Sequence, residues 1–496
     1  MGTELGVRAR ARLGPRAETV TPLVRELPSD LTPLRALAAV EREAGAILLE
    51  TAGPVGVGEE WILLAFDPLW RLDLPDGSLP GAPLDALGRA WPERVVMEPD
   101  PRAPFAGGLA GYIAYDFKDA LHPYPRRARR ESALPDVSLG YYDVVWAWER
   151  RSGAGWVVSS GIPGADRAAR EASARPRLVA QWERIASGPE PGPGRPAGRG
   201  GSRPVPSAGD RVRSRSAPGR CLEADFTRAR YIDAVGRALD HIAAGDIYQV
   251  NLAQRFLVRG APPPASLFHR LRDRAPAPFG AFLVLAGGAG IVSSSPERFF
   301  RIQDDRIETW PIKGTRPRGD APDRDAALAV ELRASAKDRA ENLMIVDLER
   351  NDLGRVCAIG SVRVSSLWGV ESYSNVHHLV SRVEGTLRRD ATPVEILRAM
   401  FPGGSITGAP KIRSIQIIDE LEPVRRGVYT GAIGYWDARG GCDWSIAIRT
   451  VVVERGVASF HVGGGIVADS DPAAEYEETL AKASGMMAAL DVRWGG

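Results

Sequence analysis

The chain has 496 residues, of which 44% are hydrophobic and 25% are charged, and its formal net charge is +2. This size and composition are typical of a globular protein with several domains or one large body, and the near-neutral charge favours neither nucleic acid nor an anionic membrane as a partner. Three widely spaced cysteines without a CxxC pair argue against a disulfide framework, no apolar stretch is long enough to span a bilayer, and we expect a cytoplasmic protein without a membrane partner.

The N-terminal third begins with a basic stretch. Residues 1–19 contain several arginines but no apolar run, which predicts a disordered tail rather than a secretory signal. Residues 20–165 alternate short apolar runs with turn signals, which predicts strands of a mixed sheet. We assign residues 20–165 to an N-terminal domain.

Residues 186–220 differ sharply from the rest of the chain. They hold seven prolines and seven arginines but only two acidic residues, and such a segment cannot bury enough apolar surface to offset its ordering entropy. This predicts a linker or surface insertion. An arginine-rich linker could touch RNA, but no aromatic residues are interleaved for base stacking, so nucleic-acid binding is a weak hypothesis.

Helix and strand patterns resume after residue 222 and define a second domain over 222–490. Apolar residues at helical spacing predict a helix from about 226 that ends near Gly245, and further helices are predicted over 336–349 and 473–490. Strands are predicted at 281–285, 290–293, 431–435, 445–453 and 458–462. Gly463–Gly465 then reads either as an ordinary tight turn or as a backbone nest for a carboxylate.

Two of these helices carry acidic faces. Asp338 and Glu341 are three residues apart, and Glu475, Glu478 and Lys482 follow at spacings of three and four, so each set lies on one helix face. Carboxylates in this arrangement suit Mg²⁺, which takes one or two protein carboxylates and completes its shell with water and substrate oxygens. Solvated helix faces are the commoner origin of such spacing.

Residues 311–318 (PIKGTRPR) place Lys313 between two prolines, a glycine and two arginines. The pattern predicts a rigid loop in which burial and the positive charges of Arg316 and Arg318 favour the neutral, nucleophilic amine. Arg449, in a strand-like run, could clamp a substrate carboxylate or point to solvent. His378 could act as a general acid or be a hydrogen-bonded core imidazole.

Taken together, these segments resemble the chorismate-utilising enzymes, which include anthranilate, aminodeoxychorismate, isochorismate and salicylate synthases. The resemblance is dense over 222–490 and looser over 20–165. It rests on six ordered motifs: IYQVNL at 247–252, SSSPERF at 293–299, PIKGTRPR at 311–318, DRAENLM at 338–344, GAPK at 408–411 and EYEET at 475–479.

The resemblance implies a fold and a set of site residues. The implied fold is α+β, with large antiparallel sheets packed face to face and helices outside. Mg²⁺ would be bound by Glu341 and Glu478 with help from Glu475, and Asp338 would stay outside the direct ligands. The substrate contacts implied for chorismate are Tyr429, Arg449, Lys482, Gly464, Gly465, Ser405, Gln249 and His378.

Two positions sort the branches of this family. Members that add water to the ring have a lysine base where this chain has Gln249, and an amide cannot deprotonate water. Anthranilate synthases usually have alanine at the position of Lys313, where aminodeoxychorismate synthases have lysine. The resemblance therefore implies amination of chorismate on the path to p-aminobenzoate and folate, through a covalent Lys313 intermediate, with Glu297 orienting and deprotonating the ammonia-derived nucleophile.

Ammonia implies a partner, because none of the three cysteines lies in a Gly-x-Cys-x-Gly elbow. We expect a separate glutamine amidotransferase subunit. Two alternatives stay open: an anthranilate synthase whose loop carries lysine, and a non-catalytic regulatory or RNA-contacting relative. The segment ending at Thr51 also resembles the tryptophan pocket of feedback-regulated relatives, or is a plain buried strand.

Overall fold

The computed structural model of the chain describes residues 19–51, 60–75, 82–91, 95–162, 167–188, 212–215, 220–373 and 376–495. The predicted tail up to residue 18 and most of the predicted linker lie outside these residues. The strands are β1 (Leu23–Glu26), β2 (Ile47–Thr51), β3 (Trp61–Ala65), β4 (Trp70–Leu74), β5 (Gly108–Ile113), β6 (Val137–Tyr142), β7 (Val144–Glu149), β8 (Gly155–Ser159), β9 (Val212–Arg215), β10 (Cys221–Ala224), β11 (Gln249–Arg259), β12 (Phe279–Val284), β13 (Gly290–Ser295), β14 (Arg298–Gln303), β15 (Arg306–Thr309), β16 (Ile312–Pro317), β17 (Arg363–Ser372), β18 (Val376–Thr386), β19 (Gly408–Ala409), β20 (Ala432–Asp437), β21 (Cys442–Ile446), β22 (Thr450–Glu454) and β23 (Val457–Ile466).

The helices are α1 (Pro33–Val40), α2 (Ala82–Ala90), α3 (Lys118–Leu121), α4 (Arg167–Ala186), α5 (Arg228–Ala243), α6 (Pro264–Arg274), α7 (Pro322–Ala334), α8 (Ala336–Gly354), α9 (Pro393–Met400), α10 (Lys411–Leu421) and α11 (Pro472–Ala489). The two long helices with acidic faces begin at defined caps. The Ser335 hydroxyl accepts a hydrogen bond from Asp338 N at the start of α8, and the Asp471 carboxylate accepts one from Ala474 N at the start of α11.

The described strands form two antiparallel sheets. The first has the order β1-β8-β7-β3-β2-β12-β13-β22-β23-β11-β10-β9 with β19 beside β11, and the second has the order β16-β18-β15-β14-β21-β20-β5-β6-β4 with β17 beside β18. In each sheet a block of strands from 20–165 joins a block from the rest of the chain, with β2 beside β12 in the first sheet and β5 beside β20 in the second. The N-terminal third and the C-terminal two thirds therefore complete each other's sheets.

The sheets pack face to face. A buried apolar cluster that includes Leu49, Tyr112, Leu283 and Ile433 joins the inner faces of both sheets. Larger clusters on the outer faces pack against helices, with α1, α6 and α11 on the first sheet and α2, α8 and α9 on the second. This confirms the predicted α+β fold of packed antiparallel sheets with helices outside.

The predicted helices agree closely with α5, α8 and α11. Residues 212–215, which the sequence assigned to the linker, instead form β9 and pair with β10. Thr51 ends β2, where its hydroxyl accepts a hydrogen bond from Trp61 N at 3.2 Å. Within the described residues, no helix is long and apolar enough to cross a membrane.

Two other expectations were wrong. The strand predicted over 445–453 is two strands, because Arg449 has a left-handed φ of +51° and the chain passes there from β21 in the second sheet to β22 in the first. Gly463–Gly465 is not a turn. These residues lie inside β23, where Gly464 is opposite Leu252 of β11.

Candidate active site

The site lies where the chain changes sheets twice. Glu297 connects β13 to β14, and Arg449 connects β21 to β22. Ile446 N donates to Glu297 O at 3.0 Å, and Ser294 N donates to Arg449 O at 3.1 Å. The two connections are therefore hydrogen-bonded to the neighbouring strands and hold one acidic and one basic side chain at the junction of the sheets.

Lys313 lies on β16 and not in a loop. Ile312 is opposite Val380 and Thr315 is opposite His378, so β16 has one more residue than β18 over this stretch. The extra residue forms a β-bulge, and Gly314 adopts a φ of +81° within it. Such bulges re-aim side chains beside active sites, and this one takes Lys313 out of the regular alternation of the strand.

The pKa of Lys313 is lowered, as the sequence predicted, but of the two predicted causes only burial, and not the two arginines, contributes. Burial is the main cause, Lys482 contributes, and Glu297 opposes the effect. The two arginines of the motif are not involved, because Arg316 pairs with Glu331 and Asp338, and Arg318 pairs with Asp325 at 2.7 Å. These carboxylates, and not Lys313, are the partners of the two arginine charges.

Glu297 is the acidic partner of Lys313. It is buried, and burial raises its pKa to about 7, while the neighbouring Ser405 hydroxyl and the Lys313 ammonium only partly oppose this. A carboxyl group that titrates near neutral pH can both accept and return a proton, which is the property required of a general base at that pH.

The acidic faces of α8 and α11 approach the same region. Glu478 accepts a hydrogen bond from Lys482 at 2.6 Å, and a Cβ placed on Gly464 would lie 2.9 Å from Glu475 Oε2. Burial raises the pKa of Glu341 and of Glu475. Burial acts in the same direction on Glu478, yet the Lys482 ammonium lowers the pKa of this group overall.

These carboxylates fit a divalent cation in part. The described residues contain no cluster of three metal-ligating side chains at coordination distance of one another. The negative charge of Glu478 nevertheless helps to raise the pKa of Glu341, so the two carboxylates lie near each other. The lowered pKa of Glu478 keeps this carboxylate ionised. Two protein carboxylates that leave coordination positions open for water and substrate oxygens suit Mg²⁺.

Arg449 and Tyr429 lie near each other, and Arg449 also contacts α11. Arg449 Nη1 donates to Lys482 O at 2.7 Å, and no described acidic residue forms an ion pair with Arg449. Burial lowers the pKa of Arg449 and raises that of Tyr429 to about 12. A half-buried guanidinium without a carboxylate partner is a ready site for an anionic ligand.

Several buried polar side chains of the site have no hydrogen-bond partner of good geometry in the described part of the chain. They are both amide atoms of Gln249, Glu297 Oε1 and Ser405 Oγ. Gln249 is fully buried and lies against Gly465, where an added Cβ would be 3.1 Å from its amide carbon. Buried polar groups in native proteins are almost always paired, so this set indicates a polar ligand.

His378 is held by its neighbours. Its Nδ1 is 2.9 Å from Thr315 Oγ1, and its ring packs edge-on against Tyr373. Burial, reinforced by the charge of Arg449, lowers the pKa of His378 to about 4. The imidazole is therefore neutral at pH 7.

One neighbour of the site was missed by the sequence analysis. The ring of His461 stacks on Tyr429 with a centroid distance of 5.1 Å, and its Nε2 is buried without a partner among the described residues. His461 is one of a few polar residues in a predominantly apolar strand, and that pattern was its only signal in the sequence.

Comparisons with known proteins agree with this geometry. The model of the chorismate-binding enzyme family matches residues 57–488. This chain is a member of that family. It is 41% identical to aminodeoxychorismate synthase component 1 of Salmonella typhimurium over 79% of each chain, and 41% identical to anthranilate synthase component 1 of Thermus thermophilus over 84% of each chain. The crystal structure of anthranilate synthase component I from Streptococcus pneumoniae covers 87% of this chain and 93% of its own with 28% identity and a TM-score of 0.71.

The family match confirms the predicted resemblance to the chorismate-utilising enzymes. Relatives from two branches have the same identity to this chain, so overall similarity does not separate amination at the ring hydroxyl from anthranilate formation. That distinction depends on individual residues of the site.

Proposed function

We propose that this chain is the synthase component of an aminodeoxychorismate synthase, which replaces the 4-hydroxyl group of chorismate by an amino group. The observation that carries the proposal is the position of Lys313, whose pKa is lowered by burial, beside Glu297 in a cleft lined by unpaired polar groups. An amine of this kind can act as a nucleophile where an alanine could not.

The substrate would bind among Arg449, Tyr429 and the acidic faces of α8 and α11. Chorismate carries two carboxylates, and Arg449 with Tyr429 would hold the enolpyruvyl carboxylate. Lys482 and the backbone of Gly464 and Gly465 would contact the ring carboxylate. The unpaired groups of Gln249 and Ser405, together with His378, would then complete the ring pocket by hydrogen bonding.

Mg²⁺ is part of this proposal. Glu341 and Glu478 would hold it with help from Glu475. When bound, the cation supplies positive charge that neutralises the ring carboxylate. The described carboxylates would otherwise repel that group.

Lys313 would perform the first displacement. Its neutral amine attacks the ring carbon next to the carboxylate-bearing carbon, both ring double bonds shift by one position, and the 4-hydroxyl leaves as water, so that it gains one proton while the attacking nitrogen gives one up. The attacking nitrogen releases one proton, which Glu297 can accept because its pKa is about 7. His378 is neutral and would contribute a hydrogen bond to the departing oxygen instead of acting as an imidazolium acid.

Ammonia would complete the second displacement. It attacks the carbon that lost the hydroxyl, both ring double bonds shift back, and Lys313 leaves with a proton returned to its nitrogen. Glu297 accepts the proton that the new ammonium group releases. Two displacements at lower barriers replace one difficult substitution, which is the usual gain from covalent catalysis.

The ammonia would come from a glutamine amidotransferase subunit. Cys357 and Cys442 are buried, and burial raises the pKa of the Cys357 thiol to about 11 and that of Cys442 further. Neither is an activated thiolate, and Cys221 lacks the sequence context of a glutaminase nucleophile. Glutamine hydrolysis by the purified chain alone would contradict this part of the proposal.

Anthranilate formation is the second candidate, because a relative of that name is equally similar to this chain. The two activities differ in whether pyruvate is released. The purified chain should be incubated with chorismate, Mg²⁺ and ammonium, and pyruvate and anthranilate fluorescence measured. A non-fluorescent product that yields p-aminobenzoate only after addition of a lyase supports the proposal. Fluorescent anthranilate with stoichiometric pyruvate refutes it.

The nucleophile is tested by Lys313→Ala. We expect this variant to lose nearly all amination, and mass spectrometry of trapped wild-type protein to show a substrate adduct on Lys313. Wild-type turnover by the variant would exclude covalent catalysis at this residue. Lys337→Ala is a matched control, since Lys337 is 3.9 Å from Glu341 but its side chain is 68% exposed.

A further inference from the structure

Asp338 lies directly against the bulge that carries Lys313. A Cβ added to Gly314 would be 2.8 Å from Asp338 Cγ and 2.9 Å from its Cβ and Oδ1. Real Cβ atoms do not approach side chains this closely, so the carboxylate occupies the space that any larger residue at 314 would need. The left-handed φ of +81° gives a second reason for glycine there.

Asp338 is itself fixed from two sides. Its backbone N–H donates to Ser335 Oγ at 3.2 Å in the first turn of α8, and its Oδ2 accepts from Arg316 Nη2 at 3.3 Å. Arg316 also donates to Glu331 of α7 at 2.7 Å. One side chain of β16 thus connects the bulge to two helices, and only 16% of the Asp338 side chain is exposed.

The opposite side of the bulge is held by a different contact. Thr315 Oγ1 is 2.9 Å from His378 Nδ1 on β18. The two residues that follow Lys313 are therefore anchored, Gly314 by Asp338 and Thr315 by His378. The Lys313 side chain forms no hydrogen bond or ion pair with another described residue, so its direction depends on these neighbours.

We propose that Asp338 is a positioning residue for Lys313: its carboxylate, held by Arg316, packs against Gly314 and fixes the bulge that directs the amine into the cleft. The inference rests on the proposed role of Lys313 as nucleophile. It assigns to Asp338 a role in geometry, separate from the role in metal binding proposed for Glu341 on the same helix face.

The length of the side chain is the critical property. Glutamate at 338 keeps the charge and the partner Arg316 but adds one methylene group where the Gly314 backbone already lies in contact. We expect Asp338→Glu to displace Lys313 by about 1 Å and to lower kcat by about 100-fold, while KM for chorismate changes by less than about threefold. Asp338→Asn keeps the shape and should retain most of the activity.

The controls separate positioning from folding. Asp347→Glu makes the same change at an exposed position of α8, where Asp347 pairs with Arg350 at 2.9 Å, and should leave kcat and adduct formation unchanged. A double-mutant cycle of Gly314→Ala with Asp338→Ala should be non-additive, because Asp338→Ala removes the Cγ and Oδ1 atoms that the added Cβ would otherwise overlap. Equal thermal midpoints for Asp338→Glu and wild type would show that the loss of kcat is not a loss of fold.

Two results would overturn the inference. One is an Asp338→Glu variant with wild-type kcat and a wild-type yield of the Lys313 adduct, and the other is a crystal structure of that variant with β16 unmoved. Wild-type turnover by Lys313→Ala would instead refute the proposed function, and it would leave the packing of Asp338 on Gly314 untouched. The two failures are therefore distinguishable.

Discussion

Replacement of Glu297 by glutamine tests how burial sets the acid–base chemistry of the cleft. The folded state raises the pKa of Glu297 from its ordinary value of 4.5 to about 7, a difference of about 2.5 pH units. At about 1.4 kcal/mol per pH unit, the ionised carboxylate destabilises the folded state at pH 8 by about 3 kcal/mol relative to pH 4.

The sign follows from the direction of this pKa shift. Below pH 4.5 the carboxyl is protonated in both states, so it causes no destabilisation. Between pH 4.5 and about 7 the unfolded state releases its proton first, and stability falls as pH rises. Above pH 7 the effect is constant. Glu297→Gln removes this dependence because the amide does not titrate.

Thermal unfolding provides the measurement. An unfolding entropy of about 2.1 cal/mol/K per residue gives about 1 kcal/mol/K for this chain, so about 3 kcal/mol corresponds to about 3 °C. The midpoint of Glu297→Gln should exceed that of wild type by about 3 °C at pH 8 and equal it at pH 4.5. In infrared difference spectra between the two proteins, the carbonyl band of the protonated carboxyl should disappear with a midpoint near pH 7.

The expected order of the two proteins is reversed for catalytic activity. Glu297→Gln should lose most of its ammonia-dependent turnover, measured at a fixed concentration of unprotonated ammonia, although it is the more stable protein at pH 8. The reasoning would be refuted by a midpoint difference that does not change with pH, or by a carboxyl band that disappears near pH 4.5.

Four further predictions concern other residues. Arg449→Gln should raise KM for chorismate about 10- to 100-fold at an unchanged thermal midpoint, since a charged hydrogen bond contributes roughly 1.5–3 kcal/mol; an unchanged KM would exclude Arg449 from binding. Gly464→Ala places a Cβ 2.9 Å from Glu475 Oε2, so activity should require more Mg²⁺; an unaltered Mg²⁺ titration would contradict this. Arg426→Met leaves the carboxylate of Glu422 buried and unpaired, which should destabilise the fold by about 3–5 kcal/mol in denaturant titrations. Glu349→Gln should raise the thermal midpoint relative to wild type, more at pH 8 than at pH 6, because burial holds the pKa of this carboxyl well above its ordinary value and folding of the wild type must then take up a proton; a midpoint lowered by the substitution would show that the buried carboxyl is ionised.

The sequence predicted the elements of the catalytic half well because their signals are local. The apolar periodicity of α5 and the capping residues of α8 and α11 depend on neighbours within a few positions. Lys313 was also recognisable, since its motif is contiguous in the chain.

The errors arose where distant contacts decide the structure. Gly463–Gly465 looks like a turn by composition, but pairing with β11 holds it extended, and glycine is required by the approach of Glu475 and Gln249. Arg316 and Arg318 look like neighbours of the Lys313 charge, yet acidic residues of α7 and α8 pair with them elsewhere. These contacts join residues from different segments of the chain, so no local sequence pattern predicts them.

The break at Arg449 shows the same limit. Apolar residues run on both sides of it, so the sequence predicts one continuous strand, whereas the chain changes sheets there with a left-handed backbone. The left-handed backbone at Arg449 is explained by the relative position of the two sheets, which the sequence does not reveal.

The connections at Glu297 and Arg449, where the chain passes between the two sheets, predict how the protein responds to a break in the chain. Glu297 lies on the short stretch from β13 to β14, Arg449 lies on the short stretch from β21 to β22, and each is hydrogen-bonded to a strand residue beside the other. A chain break or circular permutation at either stretch would move the Glu297 carboxylate away from the Arg449 guanidinium while both sheets stay folded. We therefore expect a cut at either connection to abolish catalysis while the protein stays folded. Loss of activity, and not unfolding, would then show that a connection has been broken.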